Sequence, residues 1–321
     1  RTPMPYQQLP DVSASRDELE ALVRSLPYGD FRRHRSVGIV AARRVLLGTL
    51  NAELVLATGS WVCHVDEQLA GCAILSPLTW DSGFFGHEMG VVRLLVGRQH
   101  RRRTARQLLC QVLESADRFE HLAVRLDADD FDLRAVAEEL GFRVMDTVCT
   151  YEHFPCDAGF PAVLEQRFHV RPYQPEDRAA VLAVAHRCFR DYPNRVFLDP
   201  RLGPAAGPRL YEAWTEGCCS GVMGQRILVA EHRGSVVGFL GWRVHPDLAE
   251  HAGVRLHGAG LGGCLPTRLT AYRELLWHAV RSLDGEPADF DTHLFNVATI
   301  QAYQQLGFRF VGARHTLHRW S

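Results

Sequence analysis

The sequence predicts an α/β (α+β) protein of two tandem units, each a mixed, mostly antiparallel sheet flanked by helices. Residues 133–151 and 297–316 each form an amphipathic helical pattern that closes with Leu-Gly-Phe-Arg and runs into a β-rich segment. The glycine after Leu140 and after Leu306 suits a helix C-cap, where a positive φ is needed. With 321 residues and a hydrophobic content of 46%, the chain is large enough for two buried cores.

The elements upstream of these segments follow the same order in both halves. Two strands are predicted in 59–76, around the turn Asp66-Glu67-Gln68, and two in 226–244, around Arg233-Gly234. An apolar strand and a long helix follow at 90–96 and 102–118, and again at 254–265 and 267–283. A further strand, 121–127 or 288–294, precedes the helix that ends in Leu-Gly-Phe. This duplicated order predicts one unit at 1–154, a linker at 155–167 and a second unit at 168–321.

Composition excludes several classes of protein. The 36 basic and 37 acidic residues give a net charge of -1, so the whole chain offers no electrostatic reason to bind nucleic acid. Every basic residue is an arginine, which excludes a lysine Schiff base. No apolar stretch approaches the roughly 18 residues of a membrane span, and the first ten residues do not resemble a signal peptide.

Cysteine and histidine usage predicts a reduced, metal-free protein. The nine cysteines are scattered without a Cys-x-x-Cys pair, a pattern typical of free thiols in the cytoplasm. The sixteen histidines show neither the His-Glu-x-x-His motif nor zinc spacing. His315 and His318, three apart in a predicted strand, should face opposite sides.

The second half resembles the GNAT acyltransferase superfamily. Asn296 precedes Tyr303 by seven residues, and Gly307-Phe308 follows, as in the closing motif of that family; 170–189 resembles its opening strand and helix. The resemblance implies an N-acyltransferase that moves an acetyl or related acyl group from coenzyme A to the amine of a small polar acceptor. Acetyl-CoA, or another acyl-CoA, is the implied co-substrate.

A segment of the first half is similar to the TDP-fucosamine acetyltransferases. It reads Trp80-Asp81-Ser-Gly-Phe84-Phe85-Gly and is followed by an apolar strand. The resemblance implies that Trp80, Asp81, Phe84 and Phe85 contact the acceptor, here a nucleotide-linked amino sugar or an antibiotic-pathway intermediate, near a cleft between the units. The alternative is that these aromatic residues pack in the core or at a domain interface.

Tyr303 stands where the superfamily commonly places the acid that protonates the departing thiolate. A phenol, with a reference pKa near 10, is protonated at neutral pH and suits that role. In the first half the same positions hold Ala137 and, in place of Asn296, Asp130. The first unit is therefore predicted to be non-catalytic and the second catalytic.

The general base is left open between several residues. Histidine accepts a proton near neutral pH, so His293 on the strand before Asn296 and His257 on the strand before the cofactor turn are candidates. Asp291 and Glu231 are weaker candidates. A relay of water molecules is the alternative to any of them.

The cofactor turn departs from the family pattern. Family members carry glycines before a helix whose backbone N–H groups hold the pyrophosphate of coenzyme A. Here the corresponding residues are Leu265, Thr267, Arg268, Thr270 and Ala271, with a proline but no glycine. The first half offers an arginine-rich turn at 98–106, also poor in glycine. Arginine side chains could still bind phosphate at either turn.

Several alternatives to this function are left open. The missing glycines are compatible with a different donor, an acyl carrier protein or an aminoacyl-tRNA, or with decarboxylation of an acyl thioester. A non-catalytic binding module is a further alternative. Residues 258–263 match the Gly-x-Gly-x-x-Gly dinucleotide fingerprint, but Pro266 stands where its helix should begin, so this stretch is predicted to be a glycine-rich strand.

Overall fold

The computed structural model describes residues 6–8, 16–155, 160–203, 205–222 and 226–321. In chain order the elements are β1 (Tyr6–Gln8), α1 (Arg16–Ser25), α2 (Gly38–Leu56), β2 (Gly59–Val65), β3 (Gln68–Pro77), α3 (Thr79–Phe85), β4 (Met89–Val96), α4 (Arg101–Glu114), β5 (His121–Asp127), α5 (Phe131–Glu139), β6 (Arg143–His153), β7 (His169–Pro172), α6 (Arg178–Phe189), α7 (Ala206–Cys219), β8 (Arg226–His232), β9 (Ser235–Val244), α8 (Pro246–Ala252), β10 (His257–Cys264), α9 (Thr270–Arg281), β11 (Ala288–His293), α10 (Val297–Gln305) and β12 (Arg309–Trp320).

The contacts within the chain divide it into two units. Unit 1 comprises 1–33, 37–147 and 313–321, and unit 2 comprises 34–36 and 148–312. These boundaries differ from the predicted halves because they fall inside the closing strands β6 and β12. Residues 156–159 of the predicted linker lie outside the described residues.

In unit 1 the strands β1 to β5 pair in chain order, with β4 and β5 parallel and the other pairs antiparallel. The next partner of β5 comes from the second sequence copy: β12 pairs with it antiparallel, from Arg314↔Asp127 to Trp320↔His121. Leu317 of β12 is fully buried in the core of this unit, together with Leu108 of α4 and Val136 of α5. The last strand of the chain therefore completes the sheet of unit 1.

In unit 2 the strands pair in the order β7, β8, β9, β10, β11, and β6 follows as the partner of β11. Only β10 and β11 are parallel in this series. The contribution of β6 is Val148–His153, which belongs to the first sequence copy and pairs antiparallel with His293–Ala288. A cluster that includes Val181, Tyr211 and Phe239 packs α6 and α7 against the strands.

The repeated helix–strand order predicted from the sequence is confirmed. Both hairpins form, and Gly141 and Gly307 end α5 and α10 with φ values of 89° and 75°, as the Leu-Gly-Phe motif predicts. The helix predicted at 102–118 ends earlier, at Glu114, and the one predicted at 267–283 begins later, at Thr270. A short 3₁₀ turn, Pro266–Arg268, precedes that second helix. Every cysteine that the structure describes is a free thiol.

The glycine-rich stretch 258–263 lies in the strand β10, so the dinucleotide alternative is wrong. Its glycines serve close packing. A Cβ atom on Gly262 would lie 2.7 Å from Leu240 Cδ1, and one on Gly263 would lie 2.7 Å from Cys188 Sγ. Larger residues would therefore force the neighbouring strand and helix apart.

Charged side chains cluster beside β4 and the end of β5 in unit 1. Arg93 forms an ion pair with Glu53 and lies 3.8 Å from Asp30, which also pairs with Arg314. At the end of β5, burial raises the pKa of Asp127 to about 6, and the positive charge of Arg314 offsets this only in part. The folded state therefore holds the proton of Asp127 more tightly than the unfolded chain does.

We expect Asp127→Asn to stabilise the protein at neutral pH. Because the folded pKa lies above the unfolded value of 3.8, the carboxyl group destabilises the fold as pH rises through about 6. The variant should gain about 1–3 kcal/mol at pH 7.5, and this advantage should fall to about a third near pH 4.5 because it disappears only below the unfolded pKa of 3.8. Urea denaturation at both pH values measures the gain, with the exposed Asp117→Asn as control. A variant that is less stable than the original protein at pH 7.5 contradicts this account.

Candidate active site in unit 2

The parallel strands β10 and β11 pair over only two positions and then separate. The pairs are His257↔Ala288 and Gly258↔Asp289, and β10 has a register irregularity between Ala259 and Leu261. Beyond this point β10 continues to pair with β9 on its other side but no longer with β11. The edge of β10 that faces β11 can therefore accept an extended ligand by backbone hydrogen bonds.

The hydroxyl group of Tyr303 forms a hydrogen bond with the backbone of β11 just beyond the point where β10 and β11 separate. The side chain is fully buried, and its Oη donates to the carbonyl oxygen of Asp291 at 3.1 Å and lies 3.5 Å from Tyr272 Oη. Its ring packs beside Tyr151 and Phe308. Burial is the main cause that raises the pKa of Tyr303 well above 10, and the neighbouring Tyr272 is the second. The group is thus protonated at neutral pH.

Asn296 has a structural task that its spacing from Tyr303 did not reveal. It is the N-cap of α10, where its side chain accepts a hydrogen bond from Thr299 N at 3.3 Å. Asp130 caps α5 in unit 1 in the same way, by accepting from Leu133 N at 3.3 Å. Helix capping therefore explains a short polar residue at this position in both units.

Tyr192 is a residue of this site that the sequence analysis missed. Its hydroxyl group accepts a hydrogen bond from Asn296 Nδ2 at 3.2 Å and lies 3.1 Å from His293 Nδ1, so it brings two predicted site residues together. Phe189 and Phe295 surround the ring, and burial raises its pKa. Tyr192 lies in the segment between α6 and α7, where no periodic pattern or family motif marks it.

The other predicted bases are engaged in ion pairs or hydrogen bonds. His257, at the start of β10, is buried and holds Glu286 at 2.6 Å. Hydrogen bonds from Arg255 and His257 lower the pKa of Glu286 to about 2. Glu231 is held by Arg171 at 2.6 Å, and the carboxylate of Asp291 accepts from Thr150 at 2.5 Å.

The turn predicted to bind the cofactor is the 3₁₀ turn ahead of α9. Leu265 N donates to Val237 O at 2.8 Å, and Arg268 N donates to Leu265 O at 2.8 Å, which fixes the turn to the sheet. Thr267, Arg268 and Thr270 are exposed at the start of α9, whereas Ala271 is buried. Exposed polar side chains and a guanidinium group at a helix start suit an anionic ligand.

Three arginines of the arginine-rich turn of unit 1 form ion pairs within that unit. Arg101 binds Asp130, Arg102 lies 3.2 Å from Asp132, and Arg106 pairs with Glu139. These carboxylates lie at the N-cap, in the first turn and at the end of the neighbouring helix α5. A phosphate group at this turn would have to compete with them.

The aromatic residues of α3 lie on the surface of unit 1. Trp80 is 51% exposed and stacks on Phe84 with ring centroids 4.9 Å apart, and Phe85 meets Phe84 edge to face at 4.9 Å. None of the residues of α3, including Asp81, is buried. The alternative that these residues pack in the core is therefore wrong, and their contact with an acceptor stays a prediction.

Comparison with solved structures shows what fold this is. A GCN5-related N-acetyltransferase from Sphaerobacter thermophilus matches over 99% of this chain and 97% of its own, with a TM-score of 0.63 and 13% identity. A tandem GNAT protein of the clavulanic acid biosynthesis pathway, solved without AcCoA, matches over 99% and 98%, with a TM-score of 0.51 and 14% identity. At such low identity these matches establish the fold alone.

Sequence comparison adds one curated relative. The spore coat polysaccharide biosynthesis protein SpsD of Bacillus subtilis is 25% identical over 162 residues, which cover 48% of this chain and 51% of that protein. The chain thus spans about half the length of the curated relative it matches. No protein-family model matches the sequence. Within the described part of the chain, no helix combines the length and apolar character needed to cross a membrane.

Proposed function

We propose that this chain, which has the tandem GNAT acyltransferase fold, is an N-acyltransferase that uses acetyl-CoA or another acyl-CoA to acylate the amine of a small polar acceptor. One observation carries the proposal. The hydroxyl group of Tyr303 is bound to β11 at Asp291, within the short stretch where β10 has just separated from it. A proton donor thus lies beside a gap in the sheet that suits an extended thioester ligand.

The residues of unit 2 have distinct roles under this proposal, in binding the acyl-CoA and in proton transfer. The edge of β10 offers backbone groups to the extended arm of the ligand, and acyl-CoA, when bound, supplies the acyl group as a thioester. Arg268, Thr267 and Thr270 at the start of α9 hold its phosphate groups, with Leu265 and Ala271 shaping the turn. Tyr303 gives its proton to the departing thiolate.

Unit 1 takes no part in the chemistry under this proposal. Fully buried Ala137 occupies the position that corresponds to Tyr303, and Arg101 and Arg106 of its arginine-rich turn are bound to Asp130 and Glu139. Its contribution is to binding. The exposed ring of Trp80, stacked on the half-buried ring of Phe84 with Asp81 and Phe85 beside them, offers a flat surface for a base or sugar ring.

The acceptor we propose is a nucleotide-linked amino sugar, handled in the cytoplasm. The match to a polysaccharide biosynthesis protein and the first-half resemblance to TDP-fucosamine acetyltransferases both support it. The test is to incubate the protein with acetyl-CoA and a thymidine-diphosphate-linked amino sugar. Thiol release should depend on the acceptor, and mass spectrometry should find the acetylated sugar.

A second candidate function rests on the structure of the turn. Because Pro266–Arg268 forms a 3₁₀ turn without glycine, it offers fewer exposed N–H groups to a pyrophosphate than a glycine-rich turn does. A donor of another kind, an acyl carrier protein or an aminoacyl-tRNA, would need fewer such contacts. Transfer from an acyl carrier protein in the same assay, with none from acetyl-CoA, would select this candidate.

We expect Arg268→Ala to weaken the binding of coenzyme A by about 1.5–3 kcal/mol, the range for a hydrogen bond to a charged group. Arg268 is exposed, and its guanidinium group donates within the chain only to the adjacent Thr267 O, at 3.0 Å, among the bonds found in the described residues. Its loss should therefore leave stability nearly unchanged. Competition binding with a fluorescent coenzyme A analogue measures the effect, and Arg233→Ala, in the exposed hairpin turn of the same unit, is the control. Equal affinities for the two variants would remove Arg268 from the proposed site.

A further inference from the structure

A buried carboxylate in unit 2 is held between two histidines that come from distant parts of the chain. Asp289 Oδ1 lies 2.6 Å from His245 Nε2, and its Oδ2 lies 3.0 Å from His34 Nε2. The side chains of Asp289 and His34 are 6% and 8% exposed, whereas that of His245 is 29% exposed. Of the three, His245 is thus the one that a ligand can reach.

This trio lies at the point where β10 and β11 separate. Asp289 belongs to the last pair of the two strands, and its partner is Gly258. A Cβ atom on Gly258 would stand 2.4 Å from His245 Nε2, so the imidazole ring rests directly against the strand backbone. Two residues on, about 7 Å along the strand, is Asp291, whose carbonyl oxygen receives the hydroxyl group of Tyr303.

Unit 1 has the same backbone arrangement and allows the positions to be matched. Leu78 N donates to Met89 O at 2.8 Å, and His245 N donates to Leu256 O at 2.9 Å, in both cases between the third and fourth strands of the repeat. Leu78 therefore corresponds to His245.

The same correspondence between the units extends to their parallel strand pairs, β4–β5 in unit 1 and β10–β11 in unit 2. Two residues beyond these carbonyl groups are Val91 and Gly258, which pair with Ala123 and Asp289 respectively. Unit 1 thus has leucine, valine and alanine where unit 2 has histidine, glycine and aspartate. Unit 1 therefore lacks counterparts of His245 and Asp289, and it also lacks a counterpart of Tyr303, although the fold is the same in both units.

We propose that His245 is the general base that deprotonates the acceptor amine, with Asp289 and His34 as positioning residues. This inference rests on the proposed acyl transfer and assigns the base of that same site. His293, the base candidate on β11, is instead coupled to the hydroxyl group of Tyr192.

The proton balance of the step is simple. With the Nε2–H of His245 directed at Asp289, the lone pair is on Nδ1, and Nδ1 takes a proton from the acceptor ammonium group. The freed nitrogen lone pair forms the bond to the acyl carbon as the carbon–sulfur bond breaks. Tyr303 protonates the thiolate and is restored by the second proton that the nitrogen loses. His245 returns its proton to solvent.

The charges around His245 favour this role. Burial alone would lower the pKa of His245, but the hydrogen bond and charge of Asp289 and the charge of Asp291 outweigh it and raise the pKa above 6.5, against the opposing charge of Arg243. Burial would raise the pKa of Asp289, but the hydrogen bonds of His245 and His34 keep it below 3.8. Asp289 therefore stays ionised and can stabilise the imidazolium ion that forms.

The pH dependence of kcat/KM tests the proposal, with acetyl-CoA and a thymidine-diphosphate-linked amino sugar as substrates. His245→Gln should lower kcat/KM by about 10²–10³-fold at pH 7, and the deficit should narrow above pH 9 because the amine is then neutral in solution. Gly258→Ala displaces the ring of His245 but keeps that histidine. Its deficit in kcat/KM should likewise narrow above pH 9. His186→Gln removes an exposed histidine bound to Glu212 at 2.6 Å and should match the original protein.

Two results would overturn the proposal. One is a deficit in kcat/KM of His245→Gln that is equal at every pH. The other is a fall of kcat/KM at low pH (the acidic limb) that disappears in His293→Gln rather than in His245→Gln. A protein that transfers no acyl group from any donor would overturn both the proposed function and this inference. Normal transfer with an unchanged profile in His245→Gln would overturn the inference alone.

The positioning role of Asp289 has a readout that needs no ligand. In proton NMR of the unliganded protein, the His245 ring signal, identified by its loss in His245→Gln, should titrate above pH 6.5 and move to lower pH in Asp289→Asn. The acidic limb of kcat/KM should move in the same direction. An unchanged His245 titration in Asp289→Asn would show that Asp289 does not position the base.

Discussion

Replacing Tyr303 with phenylalanine is expected to reduce kcat by about 10²–10⁴-fold, the usual contribution of a general acid. The substitution keeps the ring contacts with Tyr151 and Phe308 and deletes only the hydroxyl group that Asp291 O accepts. Affinity for coenzyme A should change by a few fold at most, since the lost interaction acts mainly in the transition state. Thiol release under single-turnover conditions measures the chemical step directly.

The matched control is Tyr151→Phe, which removes a phenol whose ring lies 5.2 Å from that of Tyr303. It should retain most of the activity. The reciprocal change in unit 1, Ala137→Tyr, should add no activity, and it would also overpack a fully buried position. Near-normal single-turnover rates for Tyr303→Phe would make Tyr303 a packing residue.

Deleting residues 313–321 should abolish the cooperative folding of unit 1. The deletion removes the seven-residue pairing of β12 with β5, the buried Leu317 and the hydrogen bond from Ala128 N to Ala313 O. Loss of the Leu317 side chain alone costs about 2–5 kcal/mol, a large share of the about 5–15 kcal/mol that stabilises a typical domain. Circular dichroism and urea denaturation measure the outcome.

The fragment 1–154 lacks β12 for the same reason and should behave like the deletion. A fragment of 1–147 joined by a flexible linker to 313–321 supplies the strand again and should unfold cooperatively. If fragment 1–154 folds as well as the joined fragment, then β12 is not required for unit 1.

Local patterns in the sequence predicted the elements of the fold but not the exchange of closing strands. The Leu-Gly-Phe segments, the two hairpins and the glycine-rich strand each carry their signal within about twenty residues. The residues of β12 do not predict that its partner is β5, because strand pairing is decided by long-range packing rather than by local propensity.

The same limit applies to the candidate site. Tyr303 and Asn296 were found because a family motif marks them in the chain, and the turn at Arg268 was found from its place between a predicted strand and the long helix that follows. Asp289 and His34 are 255 residues apart, and Asp289 and His245 are 44 apart, with no spacing that a motif would record. The fold brings these side chains together, because Asp289 of β11 pairs with Gly258 of β10 and the ring of His245 lies against that same glycine.

Calorimetric titration of the full chain with acetyl-CoA tests the central claim most directly. We predict saturable binding at one site per chain, weakened by Arg268→Ala and unchanged by Arg102→Ala, whose guanidinium group is already paired with Asp132 in unit 1. Absence of any binding to the folded protein would contradict the claim that the gap between β10 and β11 is an acyl-CoA site.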